Sequence, residues 1–220
     1  TLIGQVSAAN PKVADYPFTT LAPSLGVVRV AADASFVMAD IPGLIVGAAE
    51  GAGLGAQFLR HLSRTRVLLH LVDVMPEDGG DPIDNALAIE TELAEYSESL
   101  TERPIWLALS KVDQLEQEAL DQLLEDFAEM FPDRPIYAIS ALGDIGLEDL
   151  VRDLMAFLTE EYLLARENEN HAEQLEELEA RITADVWAHS ERMRARRAGE
   201  ADESADDDLD DWDADDEDGE

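Results

Sequence analysis

Ile105-Trp106-Leu107-Ala108-Leu109-Ser110-Lys111-Val112-Asp113 runs from an unbroken apolar stretch straight into a short polar turn. Five consecutive apolar residues without alternation fit a strand covered on both faces, as in the interior of a parallel sheet. Residues 67–72 and 136–139 have the same character, and 26–30 and 35–39 are two further β-rich runs. Helical spacing of apolar residues predicts helices over 55–64, 83–99, 116–130 and 147–160. Strand and helix in alternation imply a doubly wound, mostly parallel α/β sheet. Ligands of such sheets bind beyond the carboxyl ends of the strands, which directs attention to the residues that follow each apolar run.

Composition narrows the classes of function. The chain has 220 residues, 46% of them hydrophobic, enough for one full core with segments to spare. It has no cysteine, so disulfides and thiolate metal sites are excluded. No apolar run approaches the roughly 18 to 20 residues that span a bilayer, which leads us to expect a cytoplasmic protein without a membrane partner, and a monomer. The net charge is -35, and positions 200–220 contribute 14 acidic residues with no Lys or Arg. So acidic a surface repels phosphate backbones, so RNA contact is expected through other sequence or a basic partner protein.

Three domains are expected: a globular domain over 1–160, a helical extension over 161–198 and a disordered acidic tail over 199–220. The extension is rich in Ala, Glu, Leu and Arg and lacks Pro and Gly. Leu175, Leu178, Ile182 and Val186 share one face of it, about three turns long, for packing on the chain's own domain or on a partner. The tail has only Leu209 and Trp212 as sizeable apolar groups, so self-repulsion favours disorder.

The residues after the apolar runs form a series. Asp40-Ile41-Pro42-Gly43 follows one, Ser110-Lys111-Val112-Asp113 a second, and Ser140-Ala141-Leu142 a third. A carboxylate at Asp40 can hold a water on Mg²⁺, and the Gly43 amide can reach a terminal phosphate; a Pro-Gly turn after a strand is the plainer alternative. Asp113 can accept two hydrogen bonds from the N1 and N2 donors of guanine, a pattern adenine does not offer. Lys111 can lay its methylene stem over the base, and the amides of 140–142 can face O6; helix capping by Ser110 and Asp113 is the alternative. Phe18-Thr19-Thr20-Leu21-Ala22 lies between Pro17 and Pro23, and a threonine hydroxyl in such a loop can ligate Mg²⁺. Gly47, Gly51, Gly53 and Gly55 read as a flexible segment leading into a helix, not a dinucleotide fingerprint. His61 and His70 read as structural residues and Asp73 as a turn or cap. The order and placement of the loops match the nucleotide-sensing loops of a P-loop GTPase, yet Gly-x-x-x-x-Gly-Lys-Ser/Thr occurs nowhere. The chain begins Thr1-Leu2-Ile3, as if cut just downstream of that loop, and its only lysines are Lys12 and Lys111.

With those residues the chain resembles the Obg family of GTPases. The matching text is Val13-Ala14-Asp15-Tyr16-Pro17-Phe18-Thr19-Thr20-Leu21, Asp40-Ile41-Pro42-Gly43-Leu44-Ile45 and Gly47-Ala48-Ala49-Glu50-Gly51-Ala52-Gly53-Leu54-Gly55, followed by Phe58-Leu59-Arg60-His61-Leu62 and Leu69-His70-Leu71-Val72-Asp73. The resemblance implies a Ras-like GTPase domain, truncated at its N-terminus, that hydrolyses GTP with Mg²⁺ and assists assembly of the large ribosomal subunit. It also implies binding of GDP and ppGpp, and a glycine-rich N-terminal domain that is absent here and would carry much of the ribosome contact. By position, Phe18 to Ala22 would form the first switch with Thr20 as the Mg²⁺ ligand, and Asp40 to Gly43 would face the phosphates. Ser110, Lys111, Val112 and Asp113 would read guanine, and Ser140, Ala141 and Leu142 would back the base. Leu44 stands where Ras-type enzymes carry glutamine, so the catalytic group is unassigned and intrinsic hydrolysis should be slow. Ser110 replaces the usual asparagine and Val46 the usual glutamate, which predicts weaker base affinity and altered switching. With the phosphate loop absent as well, this chain alone is expected to be a poor GTPase or none. A naturally shortened pseudo-GTPase, acting as an acidic interaction module, is the alternative.

Overall fold

A computed structural model of the chain describes residues 2–7, 24–40 and 63–207. It has two ladders of strands. The first is an antiparallel hairpin of β1 (Ser24–Ala31) and β2 (Ala34–Asp40), with Val27 opposite Val37. A short helix, α1 (Leu2–Val6), lies against it. A side chain at Gly26 would meet Ile3 Cγ1 at 2.7 Å and Ser7 Cβ at 2.9 Å, so the hairpin and α1 approach this closely only around a glycine.

The second ladder is parallel, in the order β3 (Leu68–Asp73), β4 (Ile105–Ser110), β5 (Ile136–Ile139). Its crossovers are α2 (Pro82–Tyr96) and α3 (Gln117–Met130). Pro82 at the first turn and Asp81 before it start α2; the Asp81 carboxylate accepts from the amides of Ile83 at 2.8 Å and Asp84 at 3.2 Å. The central strand β4 is buried on both faces, and its alternate residues feed different clusters. Leu107 and Leu109 join Val72, Phe127 and Phe131 beneath α2 and α3, whereas Trp106 and Ala108 join Leu2, Ile139, Leu150 and Leu154 on the other face. Phe36 and Met38 of β2 pack into that second cluster, so the hairpin shares the core without hydrogen bonding to the parallel strands. The single sheet expected from sequence is therefore two ladders among the described residues. Of the helix expected over 55–64, only Ser63 and Arg64 are described, and they form a turn.

The C-terminal half departs from the expected boundaries. Helix α4 (Leu147–Glu167) runs past residue 160, and α5 (Glu169–Asp207) runs through Gly199 to Asp207. The break falls at Asn168, whose side-chain oxygen accepts the His171 amide at 3.3 Å. One glycine costs a helix only about 1 kcal/mol, which long runs of Ala, Glu and Arg absorb. Ile182 and Val186 are buried among Leu93, Tyr96, Leu100 and Ile105, with Leu178 beside them, so the apolar stripe packs on its own domain. Polar contacts fix its register. Asp185 accepts from the Ser97 hydroxyl at 2.8 Å and the Ser99 amide at 3.2 Å, and Arg181 grips Glu102 through two bonds of 2.5 and 2.7 Å. No helix among the described residues is long and apolar enough to cross a membrane.

His70 is largely covered on β3 near Glu90, which is itself bound by Arg134. Burial first, and then the Arg134 charge, push its pKa down from 6.5 to about 4. A histidine that stays neutral in the fold but protonates when unfolded removes stability as pH falls from 6.5 towards 4. This contribution is roughly 3 kcal/mol over that window, and His70→Gln should flatten the acid limb of a stability–pH profile measured in urea. Ile182→Ala should cost about 2 to 4 kcal/mol in the same denaturation assay, well beyond the loss from the half-buried Leu175→Ala.

Candidate functional site

The parallel ladder aligns three strand ends. Asp73 is the register partner of Ser110, and Ser110 of Ile139, so the segments that follow β3, β4 and β5 emerge side by side. Neighbouring strands lie roughly 4.8 Å apart, which keeps all three within the span of one small ligand. The Val74 amide donates to the Ser110 carbonyl at 3.2 Å, extending the pairing beyond β3.

The segment after β4 is tightly shaped. The Ser110 hydroxyl donates to the Val72 carbonyl at 3.0 Å. The serine that stands in place of the usual asparagine therefore ties this loop to β3. Lys111 adopts φ 67 and ψ 30, the left-handed region that side chains rarely occupy. A single 3₁₀ turn over Val112–Gln114 follows, closed by the Gln114 amide on the Lys111 carbonyl at 3.0 Å. Val112 is buried under α2 and α3 and anchors the turn, and the next residue, Asp113, is left exposed to solvent. Its carboxylate is thus presented outward from a fixed backbone, as an acceptor for a base requires.

Asp73 bridges two loops. One carboxylate oxygen accepts the Met75 amide at 3.0 Å, the turn role expected from sequence. The other receives the Lys111 ammonium at 2.6 Å. That hydrogen bond chiefly raises the lysine pKa, against desolvation and with the charges of Asp73 and Glu77. Sequence reading missed this second role because the partners lie 38 residues apart; only strand register makes them neighbours.

The third loop is closed on itself. Ser140 and Ile145 exchange two backbone hydrogen bonds of 3.0 Å, and the Ser140 hydroxyl accepts the Gly143 amide at 2.8 Å. The Ser140 amide is thereby committed to its own loop and does not face outward, unlike the reading made from sequence. Among the described residues, the Ala141 and Leu142 amides have no hydrogen-bond acceptor, and Leu142 is 79% exposed. Gly146 then begins α4 at φ 67, where a Cβ would lie 2.2 Å from the Ala138 carbonyl oxygen.

Asp40 ends β2, opposite Ser24, and is exposed. Phe18, Thr19, Thr20, Leu21, Ala22, Ile41, Pro42 and Gly43 lie outside the described residues, as do Leu44, Val46 and His61. No group of three or more His, Asp or Glu among the described residues is placed to hold a metal ion. The described residues thus hold the segments that follow β3, β4 and β5 and, of the residues expected on the phosphate side, Asp40.

The family model for 50S ribosome-binding GTPases matches residues 1–111, half of the chain. The chain belongs to that family. Among solved structures it is similar to a point variant of Aquifex aeolicus Era bound to GDP.AlF4-, with 18% identity and a TM-score of 0.52, covering 70% of this chain and 51% of that one. Era in complex with MgGDPNP and nucleotides 1506–1542 of 16S ribosomal RNA gives 18% identity and a TM-score of 0.53, with the same coverage. Nucleolar GTP-binding protein 1 from Plasmodium falciparum gives 18% and 0.50, covering 78% of this chain and 88% of that one. The chain thus spans about half the length of the Era chains it matches. The fold is an α/β Ras-like P-loop GTPase domain. The family match ends at Lys111, short of Asp113 and of the 140–146 loop.

Gly146→Ala should cost about 2 to 4 kcal/mol through backbone strain and collision with Ala138, read by urea denaturation.

Proposed function

We propose that this chain carries the guanine-reading part of an Obg-type GTPase, and that Asp113 selects the base. The observation that supports it most is the exposed Asp113 carboxylate, two residues after Lys111 in the turn that follows the carboxyl end of the central parallel strand. Asp113 accepts the N1 and N2 protons of guanine, a paired arrangement that adenine does not supply. Lys111 covers one face of the ring with its methylene stem. The Ala141 and Leu142 amides are the donors at hand for O6. Val112 and the Ser110 hydroxyl keep the loop from yielding when a base enters.

The complete protein, in this proposal, hydrolyses GTP to GDP, with Mg²⁺ neutralising the charge that builds on the phosphates. Thr20 and Asp40 are the residues assigned to the metal side, and Phe18 to Ala22 with Asp40 to Gly43 to the phosphate side. Leu44 in place of a water-orienting glutamine makes the intrinsic reaction slow. The family description as 50S ribosome-binding GTPases supports a role in large ribosomal subunit assembly. Binding of ppGpp, stringent-response control, a monomeric state and a cytoplasmic location complete the proposal.

Asp113→Asn exchanges an acceptor for a donor where guanine presents its amino group. In a competition assay it should shift the GTP-to-XTP affinity ratio by about a hundredfold towards XTP, the scale of losing one hydrogen bond to a charged group. An unchanged ratio would remove Asp113 from the site.

A further inference from the structure

We propose that Asp73 is a positioning residue for base recognition: its carboxylate anchors the Lys111 ammonium so that the lysine stem stands ready as one wall of the guanine subsite. This rests on the guanine reading of the site.

Asp73 is itself held fast. It ends β3 in register with Ser110, and its Oδ1 accepts the Met75 amide at 3.0 Å while Oδ2 receives Lys111 Nζ at 2.6 Å. The lysine is therefore fixed at both ends of its side chain. Its backbone sits in the left-handed region between β4 and the Val112–Gln114 turn, and its head is gripped by the neighbouring strand. A free lysine has four rotatable bonds and loses that freedom when a ligand packs on its stem. Ordering the stem beforehand removes that loss from the binding step. Both side chains remain partly exposed, at 43% and 35%, so the pair contributes little to folding stability. Its consequence is orientation.

The roles of Asp73 and Asp113 separate in their signatures. A lysine stem covers the ring of any purine, whereas Asp113 reads the exocyclic pattern. Loss of the anchor therefore lowers affinity for guanine and xanthine nucleotides alike, and leaves their ratio unaltered.

Asp73→Asn is the test variant, because asparagine keeps an oxygen to accept the Met75 amide but loses the charge. The chain has two lysines, Lys12 and Lys111, which makes amine labelling a clean report. With an acetylating ester and mass spectrometry, Lys111 should react about three- to ten-fold faster in Asp73→Asn, with Lys12 as the internal reference. An unchanged Lys111 rate would show that the anchor does not hold in solution and overturn the proposal. In titrations with GDP and XDP, Asp73→Asn should weaken both by about three- to ten-fold. Against a Lys111→Met background, which keeps the stem and removes the ammonium, the same substitution should have no effect. Wild-type binding of GDP with unaltered affinity in Asp73→Asn would overturn the positioning role and leave the guanine reading standing. Failure of the wild-type chain to prefer GDP over ADP would overturn both.

Discussion

The register of the three parallel strands is the constraint on which the site depends. Side chains alternate along a strand, so a slip of one residue would turn Leu107 and Leu109 away from α2 and α3 and bring Trp106 and Ala108 in their place. Because β4 is buried on both faces, with a bulky tryptophan on one side only, no shifted pairing fills both clusters equally well. The correct register places Asp73 beside Ser110 and Ser110 beside Ile139. Everything polar at the strand ends follows from that alignment, including the reach of Lys111 to Asp73.

The opposite ends of the same strands serve another purpose. Leu68 and Ile105 begin β3 and β4, and both meet the cluster in which Ile182 and Val186 of α5 are buried. The Ser97–Arg103 segment beside them supplies the partners of Asp185 and Arg181. Arg103, almost fully buried, donates to the Ser63 carbonyl at 3.0 Å and so ties this pole to the chain entering β3. Through its described contacts the C-terminal helix thus braces the pole remote from the segments that follow β3, β4 and β5.

Much of this was legible in the sequence. The strands over 67–72, 105–109 and 136–139 announced themselves as nearly continuous apolar runs, and their observed bounds shift by one residue at most. Ser110, Lys111 and Asp113 could be placed after a strand because Val112 continues the apolar pattern for one more residue. What escaped were relations across the chain. The Asp73–Lys111 pair depends on strand order, and the commitment of the Ser140 amide depends on a reciprocal bond five residues away. Helix α5 outran its expected end because a lone glycine is a weak stop inside an otherwise helix-favouring run. Gly26 carried no signal of its own, since its reason is the close approach of Ile3 and Ser7.

Hydrogen–deuterium exchange with and without nucleotide tests the central claim most directly, because it reports on the backbone of each loop separately. If the three strand ends form a guanine site, GDP will slow exchange at 110–115 and 140–146, ADP at the same concentration will not, and the α5 contacts around 182–186 will be unaffected. Protection by ADP equal to that by GDP, or none at these two loops when GDP is bound, would contradict the account.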